Sequence, residues 1–204
     1  VNGDTLIISS KRSPQPVGGG QILIYTRKDG IWSVMQVINN PKPDKWDFYG
    51  TELFMRNGLI YVGCTNEGKI EDGENPHGGV YVYGKNKTGQ YQEIARITNP
   101  SNGEYSQFGS SIGWIDGEKL LYIGNAVNYR HRSQGKNTGK MHFYRIHNNQ
   151  FTHVGYVSSP KAGNSGFGFN CVRLNNGNYI MGAGYETTSK VFRYDIRWPS
   201  EFTK

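Results

Sequence analysis

Residues 108–124 read Phe108-Gly109-Ser-Ser-Ile-Gly-Trp-Ile-Asp-Gly-Glu-Lys-Leu-Leu-Tyr-Ile-Gly124, and this stretch decides the fold because the chain repeats it on both sides. An aromatic-glycine pair occurs at Tyr49-Gly50, Phe108-Gly109 and Phe167-Gly168. The glycines stand at positions 50, 109 and 168, so both intervals are 59 residues. A constant period of this length indicates an array of structural repeats.

Three further kinds of apolar run recur with the same period. The second runs are 59–63, 120–124 and 179–182; the third are 79–83, 139–144 and 189–194; the fourth, which start with an aromatic residue and close on proline, are 32–41, 91–100 and 151–160. Each run has the length of a β-strand, so the pattern predicts four short strands per unit.

Both ends of the array are incomplete. Residues 2–8, 20–25 and 32–41 match the second, third and fourth runs, and the C-terminus stops where a fourth run should begin. We therefore expect one domain, 1–204, with units at about 1–46, 47–105, 106–164 and 165–204. Because both end units are broken, the sequence favours part of a larger array that other chain segments or subunits complete.

The composition suits an all-β protein. Glycine (28) and tyrosine (14) are abundant, 19% of residues are charged, and no long stretch has an apolar period of 3.6. Turn sequences such as Asn57-Gly58, Asp29-Gly30 and Asn148-Asn149 supply residues that accept a positive φ in tight hairpins. Repeated four-stranded antiparallel sheets with aromatic and glycine signatures predict a β-propeller of about four blades, the terminal ones incomplete.

Charge and cysteine content give little direction to function. The formal net charge is +7, but Lys and Arg are spread through every unit without a run of five, so we expect no nucleic-acid partner. Cys64 and Cys171 occupy non-equivalent repeat positions, which indicates neither a disulfide framework nor a zinc site. No apolar run has the length of a membrane span.

The repeat resembles the FG-GAP repeat of integrin α-chain propellers and of similar bacterial and fungal propellers, some of them lectins. The residues that carry the resemblance are Phe-Gly-Ser-Ser-Ile at 108–112, Leu-Leu-Tyr-Ile-Gly-Asn at 120–125 and Gly-Lys-Met-His-Phe-Tyr at 139–144. Many FG-GAP blades hold calcium in an Asp-rich loop between their first two strands. Here those turns hold at most one Asp and one Glu, too few carboxylates for calcium, so we expect no metal and no cofactor.

The long connections predict where a ligand binds. The links between second and third strands and between units are long and emerge at one edge, and long loops on a rigid scaffold commonly carry binding residues. Residues 128–136 combine cationic and aromatic side chains that could hold a carboxylate or sugar by hydrogen bonds and stacking. The predicted ligand-binding residues are Tyr129, Arg130, Arg132, Trp46 and Tyr105.

Other chemistry is not expected from the remaining polar residues. Glu67, Glu71, Asp72 and Glu74 crowd the loop before His77, and we interpret them as solvated. His142 and His153 fall in the third and fourth runs, so they are predicted to fill sheet positions. No nucleophile elbow or phosphate loop is present, and the sequence does not predict an enzyme.

These patterns favour a non-catalytic recognition module, a propeller that binds a glycan or a cell-surface protein outside a cell, as lectins, adhesins and viral receptor-binding proteins do. One alternative is a structural propeller in a larger assembly such as a virion. The other is a propeller hydrolase or lyase that acts on polysaccharide.

Overall fold

A computed structural model gives the fold of the chain. It describes the residues 2–11, 19–43, 47–67, 77–100, 106–116, 119–126, 139–158, 167–173, 179–183 and 190–194. The chain divides into two units, Val1–Glu104 and Tyr105–Lys204.

The described residues form antiparallel strands and no helix. In the first unit the strands are β1 (Thr5–Ser10), β2 (Gln21–Lys28), β3 (Ile31–Asn39), β4 (Tyr49–Arg56), β5 (Leu59–Cys64), β6 (Gly79–Lys85) and β7 (Tyr91–Thr98). In the second they are β8 (Gln107–Ile115), β9 (Leu120–Ala126), β10 (Lys140–His147), β11 (Gln150–Ser158), β12 (Phe167–Arg173), β13 (Tyr179–Ala183) and β14 (Lys190–Tyr194).

Neighbouring strands in the sequence pair to form simple meanders. The first unit holds sheet A (β1-β2-β3) and sheet B (β4-β5-β6-β7), and the second holds sheet C (β8-β9-β10-β11) and sheet D (β12-β13-β14). The predicted first strands and the all-β class are confirmed, as are the three-stranded terminal sheets within the described residues. No helix in the described part of the chain is long and apolar enough to cross a membrane.

The predicted hairpin turns adopt the left-handed backbone that the sequence indicates. Asn57 and Gly58 have φ of 51° and 76°, and Asp29 and Gly30 have φ of 52° and 81°. Two successive positive φ angles define the tight turn whose twist matches that of antiparallel strands. The short links therefore keep each pair of strands in register.

The aromatic-glycine pairs mark a bulge at the start of the first strand of sheets B, C and D. The register of β4 against β5 shifts between Tyr49 and Leu53, and that of β8 against β9 shifts between Phe108 and Ile112. Gly50, Gly109 and Gly168 have φ of 86°, 92° and 94°. Glycine is needed here because side-chain-bearing residues rarely adopt this backbone.

In the first unit the bulge packs tightly against sheet A. A Cβ atom on Gly50 would lie 2.7 Å from the Cβ of Ser9, and one on Gly20 would overlap the carbonyl oxygen of Tyr49. Gly20, just before β2, and Gly50, of the aromatic-glycine pair, thus let the backbones of sheets A and B approach closely.

The second unit repeats this contact one period later. A Cβ atom on Gly139 would overlap the carbonyl oxygen of Phe167, and one on Gly168 would lie 2.5 Å from the carbonyl oxygen of Lys140. Ser111 adds a hydrogen bond, because its hydroxyl donates to the carbonyl of Gly168 at 2.7 Å. The repeated aromatic-glycine pair is therefore the backbone contact between one sheet and the next within each unit.

Apolar side chains fill the space between the sheets of each unit. Between sheets A and B, Ile22 and Ile24 pack in one cluster with Tyr49, Tyr81 and Tyr83. In the second unit, Met141 and Phe143 cluster with Phe167. The aromatic ring of the repeat is thus a core residue in both units.

One polar contact in this core differs between repeats. In sheet B the ring of Tyr49 meets Tyr81 edge-on at 5.5 Å, and the Tyr49 hydroxyl donates to that of Tyr83 at 2.7 Å. In sheet C the equivalent of Tyr49 is Phe108, whose ring lies 6.5 Å from that of Tyr144. The buried hydroxyl of Tyr144 has no hydrogen-bond partner among the described residues, because phenylalanine cannot supply one.

We predict that Phe108→Tyr stabilises the protein and that Tyr49→Phe destabilises it. The first change gives the Tyr144 hydroxyl a partner and the second takes one from Tyr83, so each should shift the free energy of unfolding by about 1 kcal/mol, in opposite directions. Urea unfolding of the two variants and the wild type measures both shifts. Destabilisation by Phe108→Tyr would contradict the equivalence of the two positions.

Candidate functional site

The five predicted ligand-binding residues, Trp46, Tyr105, Tyr129, Arg130 and Arg132, lie outside the described residues. The structure therefore neither gathers nor separates them, and their role stays a prediction. The candidate site that the described residues do define is a cluster of charged and phenolic groups at the end of β5.

Glu67 is the centre of this cluster, and the prediction that it is solvated was wrong. Its side chain is 8% exposed, whereas the other acidic residues of the same prediction, Glu71, Asp72 and Glu74, lie outside the described residues. The physical reason is pairing, because a carboxylate becomes buried when a cation and hydrogen-bond donors replace its water.

The partners of Glu67 come from two neighbouring strands. The Tyr81 hydroxyl on β6 donates to Glu67 Oε1 at 2.5 Å, and Nη2 of Arg96 on β7 lies 2.5 Å from the same oxygen. The Arg96 guanidinium also lies over the Tyr81 ring, with Cζ 5.4 Å from the ring centre. Tyr81 and Arg96 are directly opposite each other in the sheet, so register alone brings them to one carboxylate.

The second carboxylate oxygen, Glu67 Oε2, is buried and has no hydrogen-bond partner among the residues that the structure describes. Gly79 makes room for it, because a Cβ atom at that position would lie 2.5 Å from Oε2. A buried carboxylate oxygen without a donor is uncommon, and it is the atom of this cluster that can still accept a hydrogen bond.

Backbone hydrogen bonds hold Glu67 where the two ends of the long connection between β5 and β6 meet. The amides of His77 and Gly78 donate to the Glu67 carbonyl at 3.0 Å and 3.2 Å. The Glu67 amide donates to the carbonyl of Cys64 at 3.4 Å. The cluster thus lies at the edge of the sheet from which this long connection emerges.

A second buried carboxylate, Asp47, precedes β4 on the same edge. Its side chain is 3% exposed and accepts a hydrogen bond at Oδ2 from Nδ2 of Asn40 at 3.0 Å. The Asn66 amide and the Cys64 thiol donate to the Asp47 carbonyl at 3.1 Å and 3.4 Å. Asp47 and Glu67 are therefore tied to the same end of β5.

The electrostatics of the cluster follow from burial and from the Glu67 charge. Burial and the hydrogen bond to Glu67 raise the pKa of Tyr81. Burial opposes the charge of Arg96, yet the hydrogen bond and the charge of Glu67 raise the pKa of Arg96 overall. Burial, with the neighbouring charges of Glu67 and Asp47, raises the pKa of the Cys64 thiol, so this cysteine stays protonated and is not a nucleophile.

The sequence contains one sign of this cluster, which is that Tyr81 and Arg96 differ from the residues at the same positions of the next repeat. Tyr81 and Arg96 are the repeat equivalents of His142 and Tyr156, since each pair is directly opposed just before a shift of register. Charged and phenolic side chains that break an otherwise regular repeat are candidates for function or for a local structural role. The pairing with Glu67 was not predictable, because 29 residues separate Arg96 from Glu67.

In sheet C, His142 lies in β10 and His153 in β11, so both fill sheet positions as the sequence predicted, and the two rings also contact each other. His142 is 1% exposed, and its Nδ1 lies 3.1 Å from Nε2 of His153. Burial, then the charges of His153 and Lys140, lower the pKa of His142 to about 3. Among the described residues no group of three His, Cys, Asp or Glu side chains could hold a metal ion.

We predict that acid destabilises the protein through His142. The folded-state pKa lies below the usual 6.5, so protons bind the unfolded state preferentially and stability falls as the pH drops from about 6.5 toward 3. The contribution of His142 to the change of unfolding free energy with pH approaches about 1.4 kcal/mol per pH unit. His142→Gln should flatten the dependence of melting temperature on pH across this range, and the exposed His147→Gln should not; equal slopes in wild type and His142→Gln would contradict the assignment.

Comparison with known proteins gives a likeness of fold. No protein-family model and no curated protein matches the chain. Among solved structures, the chain is similar to an endo-arabinase from Bacteroides thetaiotaomicron, with a TM-score of 0.54 and 15% sequence identity, over 94% of this chain and 70% of that one. At this identity the comparison establishes a shared all-β fold and nothing about activity.

Proposed function

We propose that the chain is a β-propeller that acts on polysaccharide as a hydrolase, with its site at the edge where the long connections emerge. The observation that carries the proposal is the likeness in fold to an endo-arabinase over 94% of the chain. In this proposal the sheets of each unit are successive blades, which agrees with the aromatic-glycine contact within each unit.

Glu67 and Asp47 are the carboxylates that we assign to this activity. Glycoside hydrolysis generally needs two carboxyl groups, one on each side of the scissile bond. Arg96 lies 2.5 Å from Glu67 and the Tyr81 hydroxyl donates to the same oxygen, so we assign Glu67 the role of base rather than acid. Its Oε2 atom, which has no hydrogen-bond partner among the described residues, is the oxygen that we assign to the reacting water.

A second candidate function is glycan or protein binding without catalysis, outside a cell and in the manner of FG-GAP propellers. It is favoured by the engagement of both carboxylates, since Glu67 Oε1 accepts from two side chains and Asp47 Oδ2 accepts from Asn40. In that case the Glu67 cluster anchors the edge, and the binding residues are Tyr129, Arg130, Arg132, Trp46 and Tyr105.

The proposed activity is tested by the release of reducing ends from arabinan and from a panel of other polysaccharides. We predict that Glu67→Gln lowers the rate at least about a hundredfold, because a neutral amide cannot act as base or nucleophile. Asp47→Asn should have a similar effect. Asp4→Asn is the matched control, since it removes a carboxylate from the exposed ion pair with Arg27 and should leave the rate unchanged.

Affinity electrophoresis in the same polysaccharides separates the two functions. Retention without product, weakened about tenfold by Arg130→Ala but not by Glu67→Gln, supports binding and contradicts the hydrolase. Circular dichroism of each variant verifies that the fold is intact. Neither turnover nor retention on any polysaccharide would contradict both the hydrolase and glycan binding.

A further inference from the structure

Two histidine rings of sheet C meet across neighbouring strands. Nδ1 of His142 on β10 lies 3.1 Å from Nε2 of His153 on β11. His142 is opposite Tyr156 and His153 is opposite Tyr144, so the two histidines are diagonal neighbours in the sheet. The register of the two strands shifts between Phe143 and Tyr144, and a bulge of this kind re-aims side chains. The contact between the two rings therefore depends on the register of one pair of strands.

Sheets A and B hold other residues at the equivalent positions. In sheet B these positions are Tyr81 and Glu93, and in sheet A they are Leu23 and Val34. Each sheet has the same register shift between its third and fourth runs, so the bulge belongs to the repeat and the two imidazoles belong to sheet C. A pair of ligand-type side chains at a position that the other repeats fill differently is a candidate for a role specific to this sheet.

The separation of the two nitrogen atoms fits a shared metal ion. Imidazole nitrogen binds zinc at about 2.0–2.1 Å. Two such bonds place the nitrogen atoms about 2.9 Å apart at a right angle and about 3.3 Å apart at a tetrahedral angle. The observed separation of 3.1 Å lies between these values, so a small rotation of the rings brings both lone pairs to one ion.

Both rings are in the neutral form that binds metal ions at pH 7. Burial, then the charges of His153 and Lys140, lower the pKa of His142, and burial lowers the pKa of His153. The His153 ring also forms a hydrogen bond with the backbone of Gly155. Since Nε2 of His153 faces His142, its Nδ1 is the atom left for this bond. Histidines that bind metal commonly anchor their second nitrogen in this way.

Aromatic side chains fix the orientation of the pair. The ring centre of His142 lies 5.6 Å from those of Phe108 and Tyr156, and the ring centre of His153 lies 5.2 Å from that of Tyr144. Rings held in this way lose little further freedom when an ion binds. His153 is exposed, so an ion can approach the pair from its side.

We propose that His142 and His153 form a two-histidine site for a divalent late transition-metal ion of the Cu²⁺, Ni²⁺ and Zn²⁺ class. Imidazole suits these ions, whereas Mg²⁺ and Ca²⁺ prefer oxygen ligands. The ion takes the place of the proton that the two nitrogen atoms share, and water completes its coordination. Structural and catalytic zinc sites generally have three or four protein ligands, so this site binds its ion reversibly. It ties β11 to β10 and is independent of the polysaccharide site.

Isothermal titration calorimetry of the complete 204-residue chain, freed of metal with EDTA and dialysed, tests the proposal with CuCl₂, NiCl₂, ZnCl₂ and MgCl₂. We predict saturable binding of about one ion per chain, tightest for Cu²⁺ and absent for Mg²⁺. His153→Gln should weaken the binding at least about tenfold, because it removes one of the two ligands. His147→Gln is the matched control, since His147 is an exposed histidine of β10 outside the pair, and it should change the affinity less than about twofold.

Electron paramagnetic resonance of the Cu²⁺ complex counts the ligands directly. The spectrum should show coupling to two imidazole nitrogens in the wild type and to one in His153→Gln. His142→Gln repeats both measurements, with circular dichroism to verify its fold. Absence of saturable binding for all three transition-metal ions overturns the proposal. Equal affinities of the wild type and His153→Gln, an unchanged Cu²⁺ spectrum in that variant, or Mg²⁺ binding as tight as Zn²⁺ binding also overturns it.

Discussion

The close approach of two backbones at each aromatic-glycine pair is the constraint on which the rest of the structure depends. Gly50 and Gly168 adopt a positive φ, and an added Cβ would meet Ser9 in one unit and the carbonyl of Lys140 in the other. Only glycine satisfies both requirements at once. The pair therefore sets where the next sheet starts, which explains why the sequence keeps its period of 59 residues.

Once this contact is set, the repeat can vary its polar residues without changing the fold. The position of Tyr81 becomes His142 in sheet C. The Tyr49–Tyr83 bond is replaced by Phe108 beside a Tyr144 hydroxyl that has no partner in the described part of the chain. Sheet B alone among the described residues gathers a buried carboxylate, a phenol and a guanidinium at one strand end. We expect function where the repeats differ, because the residues that all repeats share are used to pack the core.

Strand order, hairpin turns and the aromatic core positions were predictable because they depend on local patterns. Tyr49, Phe108 and Phe167 were predicted as repeat positions and are fully buried. The burial of Glu67 was not predictable, because it depends on Arg96, which reaches it only through the register of β6 and β7. The acidic residues near Glu67 suggested a solvated loop, and nothing local distinguished Glu67, whose carboxylate accepts from the buried Tyr81 hydroxyl. The predicted binding residues, such as Arg130, lie outside the described residues.

The central claim is that contact at the aromatic-glycine pair, and not backbone strain alone, connects the sheets. A double-mutant cycle on Gly50→Ala and Ser9→Gly, measured by urea unfolding, tests it most directly. Gly89→Ala is the reference for backbone strain, because Gly89 has a φ of 84°, close to the 86° of Gly50, but an added Cβ there would have no atom within 4 Å. Gly50→Ala should cost at least about 1 kcal/mol more than Gly89→Ala, and Ser9→Gly should recover about that amount, because it removes the atom that the new methyl group meets. Equal costs for the two alanine variants, with no coupling to Ser9, would contradict the claim.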